Sequence, residues 1–284
     1  MSESPPGPAV VTGGLTGLGR GIAVGLARKG FRTVVVGRGQ ERVDAAVPGI
    51  AAEAGGARVE GLAVADLARR SEMHALAARV AREYPDISVL VNNAGGMFSP
   101  RQTTADGLER TFALNVLAPF VLTQRVGESM RARGGGRIVE IASAAHRGAH
   151  VPFDDLQSTA HYSGWRAYSR SKLELILLAR EFARRFDGSG VTVNAVHPGF
   201  VRSHFGQNNG RLSALFVGFA ARIGGRSIAR GADTPVYVAT DPGIAHVTGA
   251  YFADRAVHPG SAASRELNDA RRLFEMCAEL ASGA

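Results

Sequence analysis

Short apolar runs rich in valine and isoleucine recur along the chain at 9–11, 33–36, 59–64, 87–91, 137–141, 191–196 and 247–252. Between them apolar residues fall at three- and four-residue spacing. That spacing predicts helices near 17–29, 40–54, 68–83, 105–133, 165–187 and 232–240, and a last one near 264–281. Strands that are apolar on both faces and alternate with helices belong to a parallel sheet covered on both sides. The pattern therefore predicts one α/β domain over residues 1–284, a doubly wound parallel sheet of seven strands. No internal repeat, low-complexity tract or linker divides it.

Two segments, 144–164 and 198–231, break the alternation. Each follows a strand and is longer than the usual connection. Loops at the carboxyl ends of parallel strands frame the ligand crevice, so both are expected to meet substrate. The second is apolar in its middle, with Phe205, Phe216 and Phe219, and carries Gly199, Gly206, Gly210, Gly218, Gly224 and Gly225. It suits a mobile flap over a bulky, largely apolar or aromatic substrate.

Composition narrows the class. The chain is 45% apolar and 20% charged, and it has no apolar run long enough to span a bilayer. The first residues carry no basic region ahead of an apolar one, so no secretory signal is expected. The single cysteine, Cys277, fits a reducing cytoplasm. A net charge of +8 raises nucleic-acid binding, but the basic residues are scattered and form no dense block, so no nucleic-acid partner is expected. Of the 33 basic residues only Lys29 and Lys172 are lysines. In a chain so biased to arginine, a retained lysine draws attention.

Chemistry concentrates at a few places. The first strand runs into Thr12-Gly13-Gly14-Leu15-Thr16-Gly17-Leu18-Gly19 and then a helix. Such a turn brings backbone amides and a helix N-terminus up to a pyrophosphate, although an ordinary glycine-rich turn has the same look. Tyr168 and Lys172 stand four residues apart on one helical face. An ammonium there is expected to favour the phenolate and equip the tyrosine for proton transfer at a carbonyl or alcohol. Asn115 lies in an apolar helix four residues before Pro119, which has no N–H to offer its carbonyl. The second strand ends in Gly37-Arg38-Gly39 with no acid before Glu41. An arginine there accommodates the 2′-phosphate of NADP, whereas an acid would bind the ribose hydroxyl of NAD.

Taken together these motifs resemble the short-chain dehydrogenase/reductase family over nearly the whole chain. They run in family order: the turn at 12–19, Asp66-Leu67, Asn92-Asn93-Ala94-Gly95, Asn115, Ser143, Tyr168 with Lys172, and Pro198-Gly199. Ala145-His146, Phe153-Asp154-Asp155-Leu156, Tyr162, Ala167–Lys172 and Val247–Phe252 further resemble the retinol-dehydrogenase-like branch. The resemblance implies a Rossmann-type fold and a nicotinamide-dependent enzyme interconverting a ketone or aldehyde with an alcohol. It implies a catalytic set of Asn115, Ser143, Tyr168 and Lys172. Ser143 would hold the substrate oxygen, Tyr168 would act as general acid or base, and the Asn115 carbonyl would hold a water linking Lys172 to solvent. It assigns cofactor contacts to Gly13, Thr16, Gly17, Leu18, Gly19, Arg38, Asp66, Leu67, Asn93, Ala94, Gly95, Tyr168, Lys172, Pro198, Gly199, Val201 and Ser203.

NADP(H) is favoured over NAD(H), although Thr16 stands where many NADP-using relatives have a second basic residue. No metal is expected, because the spacing of His146, His150, His161, Asp154 and Asp155 matches no dense ligand pattern. His197 is expected to be structural. The partner is a small carbonyl or alcohol, with a homodimer or homotetramer left open. Reduction of a C=C bond on the same scaffold, and a dinucleotide-sensing protein without turnover, are the alternatives. The intact catalytic set speaks against the second.

Overall fold

Valine-rich segments become strands because both of their faces are covered. The computed structural model describes residues 6–201 and 226–283. Its strands are β1 (Ala9–Thr12), β2 (Thr33–Arg38), β3 (Val59–Val64), β4 (Val89–Asn92), β5 (Gly136–Ile141), β6 (Val191–His197), β7 (Tyr251–Ala253) and β8 (Ala256–His258). Among the described residues they form one sheet in the order β3-β2-β1-β4-β5-β6-β7-β8. All neighbours run parallel except β7 and β8.

The eighth strand was not expected. It returns from β7 through Asp254 and Arg255, both at positive φ. That is the backbone of a tight two-residue hairpin turn, for which asparagine or glycine is the usual signal.

Helices α1 (Gly17–Arg28), α2 (Gln40–Glu53) and α7 (Ile228–Thr240) cover one face. Helices α3 (Arg70–Glu83), α5 (Ala118–Ala132), α6 (Gly164–Arg185) and α8 (Leu267–Ser282) cover the other. Alternate strand residues feed the two cores: Val10, Leu90 and Ile138 enter one, while Val11, Val91 and Val139 enter the other. The doubly wound expectation holds.

The long helix expected at 105–133 runs without interruption from Arg110 to Ala132 but changes register inside. Glu109 caps a short α4 (Arg110–Phe112), accepting from the amides of Thr111 at 2.8 Å and Phe112 at 2.7 Å. A π turn (Ala113–Leu117) follows before α5 begins, with the Ala118 N–H donating to the Ala113 carbonyl. Pro119 lies in the first turn of α5, so the helix is re-registered just where the missing N–H would have left a gap.

Candidate functional site

The strand order reverses between β1 and β4, and the carboxyl ends of these strands open the crevice. Thr12 closes β1. Its hydroxyl accepts the amides of Asn93 and Ala94, each at 3.0 Å. The Asn93 side chain reaches back to donate to the carbonyls of Thr12 at 2.9 Å and Gly13 at 3.2 Å. Asn93 therefore pins the glycine-rich turn to the end of β4. Gly13 and Gly17 adopt positive φ of 63° and 53°. A Cβ on Gly19 would collide with the Gly13 carbonyl oxygen. Glycine is required here for close approach of turn and helix.

Thr16 precedes α1 without capping it through its side chain, and the first turn of α1 has no acid. An uncapped helix start with no acid, framed by glycines, fits the phosphates of a dinucleotide. Arg38 ends β2 and is exposed. Asp66, beyond β3, accepts from Arg110 at 2.8 Å and from the Ala68 amide at 3.1 Å. Leu67 packs into the core. Pro198, Gly199 and Val201 follow β6, and Val201 bridges to Arg226. Ser203, Phe205, Phe216, Phe219 and most of the 198–231 segment lie outside the described residues.

The catalytic candidates converge from three elements. Ser143, just past β5, caps the turn Ala144–His146 and is hydrogen-bonded through its side chain to Tyr168. Tyr168 stands in the second turn of α6 with the Lys172 Nζ 5.6 Å from its ring centroid. Lys172 donates to the Ile141 carbonyl at 2.8 Å. Asn115, fully buried in the π turn, uses its whole amide. Oδ1 accepts the Gly96 N–H at 2.8 Å, and Nδ2 donates to the Gly96 carbonyl and the Ser171 hydroxyl, both at 2.9 Å. A Cβ on Gly95 would sit 3.1 Å from Asn115 Oδ1 and 3.7 Å from Lys172 Nζ, so glycine lets the β4 loop pass between them.

The electrostatics differ from expectation at the tyrosine. Burial pushes the Tyr168 phenol up to about 12, with the Ser143 hydrogen bond acting against it. The expected downward pull from Lys172 does not prevail, for two reasons. Burial brings the lysine itself down to about 8, and its Nζ is turned to the Ile141 carbonyl. Near neutral pH the phenol is protonated.

Both histidines nearby are hydrogen-bonded to backbone groups. His197 Nδ1 accepts the Ala144 N–H at 3.2 Å, and burial lowers its pKa to about 4. His146 Nε2 accepts the Ser261 N–H at 3.2 Å, which leaves Nδ1 to donate to the Ser143 carbonyl at 2.7 Å. The 144–164 segment is tied down by Arg170 to the Leu156 carbonyl, by Arg101 to the Gln157 carbonyl and by Tyr162 to the Phe98 carbonyl.

The sequence reading quoted Thr12 and Asn92 within motifs but gave them no role of their own, and it passed over Thr123 and Glu140. Asn92 Nδ2 donates to Thr123 Oγ1 at 2.9 Å and to Glu140 Oε1 at 2.8 Å, and Thr123 donates to the same oxygen at 2.7 Å. One signal was visible: an acid inside the apolar strand Ile138-Val139-Glu140-Ile141.

The profile of the family described as short chain dehydrogenase matches residues 8–212. The chain belongs to the short-chain dehydrogenase/reductase family. Its relatives place it in the retinol-dehydrogenase-like branch. It is 35% identical to retinol dehydrogenase 13 of Homo sapiens over 281 residues, covering 97% of this chain and 85% of the relative. It is 37% identical over 275 residues to a protein of Streptomyces sp. (strain C5) provisionally named daunorubicin C-13 ketoreductase DnrU, covering 96% and 92%. Among solved structures, a single-residue variant of actinorhodin polyketide ketoreductase with NADPH superposes with a TM-score of 0.70 at 26% identity, covering 93% of this chain and 98% of that one. As a short-chain dehydrogenase/reductase, the chain is an oxidoreductase acting between CH–OH and C=O with a nicotinamide dinucleotide. Among the described residues, no helix is long and apolar enough to cross a membrane.

Proposed function

We propose that the protein is an NADP(H)-dependent oxidoreductase that interconverts a bulky, largely apolar or aromatic ketone or aldehyde with its alcohol. The observation that carries this reading is the hydrogen-bonded Ser143–Tyr168 pair with Lys172 beside the phenol ring. A carbonyl oxygen placed between the two hydroxyls accepts from both. Tyr168, protonated at neutral pH, holds the proton that carbonyl reduction consumes. Lys172 stands beside the Tyr168 ring and would hydrogen-bond the ribose of a bound nicotinamide dinucleotide. Asn115 fixes the Gly96 backbone beneath. A nicotinamide held in the crevice would supply or take up the hydride.

Arg38 supports NADP(H), as an exposed guanidinium at the end of β2 with no acid before Glu41. Its fork suits a phosphate bidentately. An aromatic substrate is supported by Trp165, 45% exposed, with its ring centroid 6.1 Å from that of Tyr168. Phe200, also 45% exposed, follows β6 on the neighbouring strand end. The provisional daunorubicin C-13 ketoreductase and the actinorhodin polyketide ketoreductase are named for ketone reduction, which supports a ketone as the substrate group.

The test is consumption of NADPH and of NADH by the purified protein with a panel of aromatic and aliphatic ketones and aldehydes, with product analysis. Alcohol formation from aromatic carbonyls with NADPH supports the reading. Saturation of a C=C bond, or no turnover with any carbonyl, overturns it.

A further inference from the structure

Glu140 is an acid in the wrong place for an ordinary core. It lies in β5 between strands β4 and β6, is 3% exposed, and projects into the same core layer as Ile138, between α5 and α6. Its Oε1 is fully engaged. Asn92 and Thr123 both donate to it, and Thr123 uses its one hydroxyl hydrogen there while accepting from Asn92. Any proton on this carboxyl must therefore sit on Oε2. That oxygen is buried and has no hydrogen-bond partner among the described residues. The arrangement holds an acceptor on one side and presents bare negative charge on the other.

Lys172 is the cation that meets this charge. Its Nζ is anchored on the carbonyl of Ile141, the residue next to Glu140, and the two side chains interact electrostatically. Titratable groups around Lys172 among the described residues are Glu140 from β5 and Tyr168 one turn back on α6. β4 and α5 contribute the uncharged Asn92 and Thr123, and the π turn contributes the uncharged Asn115.

We propose that Glu140 is a positioning residue for the proton-transfer set: its carboxylate, oriented by Asn92 and Thr123, is the buried counter-charge that keeps Lys172 an ammonium beside Tyr168. Burial alone drives an amine toward its neutral form. Glu140 opposes that drive, and Lys172 in turn opposes the protonation that burial imposes on Glu140. The consequence for catalysis rests on the reading of Lys172 given under the proposed function; the ionic coupling does not.

The chain's two lysines make the coupling directly observable. In the full chain without added cofactor, ¹³Cε-lysine NMR gives one resonance from exposed Lys29 and one from Lys172, assigned with Lys29→Arg. Lys172 is expected to titrate near about 8. In Glu140→Gln, which preserves shape and the Oε1 acceptor, its midpoint is expected to fall by about one pH unit or more. Lys29 should not move.

The reciprocal measurement does not depend on that variant folding. Lys172→Met should raise the Glu140 carboxyl midpoint above about 7, read by ¹³Cδ-glutamate NMR. In kinetics, the alkaline limb of the pH profile should shift to lower pH in Glu140→Gln; a merely structural loss would lower rates at every pH and leave the limb in place. An unmoved Lys172 midpoint, or a Glu140 midpoint indifferent to Lys172→Met, overturns the proposal. If Tyr168→Phe retains full turnover, the catalytic reading fails while the titrations still stand.

Discussion

Asn115→Ala tests whether the site is held up by the asparagine side chain or merely contains it. The substitution removes three hydrogen bonds from a fully buried amide. Gly96 loses the partners of both its N–H and its carbonyl. Ser171 loses one donor but keeps its own bond to the Tyr168 carbonyl at 2.7 Å. A fully buried backbone group left unpaired costs about 1–3 kcal/mol; Gly96 is half-buried and water reaches part of the loss, so its two groups together amount to about 1–3 kcal/mol. For a domain of this size about 1 kcal/mol moves Tm by about 2–4 °C, which puts the expected fall at about 5 °C. Calorimetry at neutral pH reads it. Asn115→Asp sharpens the test. It keeps the acceptor for Gly96 N–H but faces a second carboxylate oxygen to the Gly96 carbonyl, so its Tm deficit should shrink on acidification, when the carboxyl regains a donor. If Asn115→Ala melts within a degree of the parent and still loses turnover, the side-chain bonds do not support the site and the reasoning fails.

Three other outcomes follow from the same geometry. Tyr168→Phe should cut turnover by about 10²–10⁴-fold while leaving NADPH affinity, read by fluorescence titration, near the parent value; parent-like turnover would remove the tyrosine from its role. Arg38→Ala should weaken NADPH binding at least about tenfold more than NADH binding, because only NADPH carries the 2′-phosphate; equal losses would make Arg38 a surface residue. Glu174→Gln should flatten the pH dependence of stability. Glu174 is fully buried with its Oε1 3.3 Å from Arg170 Nε but outside hydrogen bonds, and burial outweighs that positive charge and raises its pKa from 4.5 to about 7. A raised carboxyl favours the fold below its unfolded pKa and loses that contribution as pH climbs through about 7, a change of about 3 kcal/mol. Urea midpoints at pH 5 and pH 8 should differ less in the variant; an unchanged difference would show that Glu174 does not titrate there.

The parallel sheet was legible because burial on both faces leaves an unmistakable mark, a strand with almost no polar residue. β8 left no such mark. Ala256–His258 is a largely exposed edge, and its turn uses Asp254 and Arg255 where a hairpin would advertise itself with glycine. The π turn at 113–117 was half legible. Pro119 announced a disturbance near Asn115, but nearly every residue from Thr111 to Thr123 is buried, so the pattern carries no polar phase from which a one-residue π insertion could be read. At the site, helical spacing alone brought Tyr168 and Lys172 together. Their charges were not legible, because spacing says two groups are near and burial decides which of them can ionise.

Asn93 and Asn115 show the same limit from another side. Both stand at family positions, yet what their side chains do among the described residues is hold backbone: Asn93 the glycine-rich turn, Asn115 the Gly95-Gly96 segment. These clamps leave Lys172 bounded by an amide hub on each side, Asn115 with Ser171 on one and Asn92 with Thr123 and Glu140 on the other. Such a setting accounts for a lysine at position 172 in a chain whose other basic residues, Lys29 apart, are arginine. A guanidinium stays charged at any depth and could not be brought near neutrality. An amine can be moved from 10.5 to about 8 by burial, and is then sensitive to one neighbouring carboxyl. Under the proposed function, proton transfer calls for the residue type that burial can tune, and the fold places both the burial and a buried carboxyl around it.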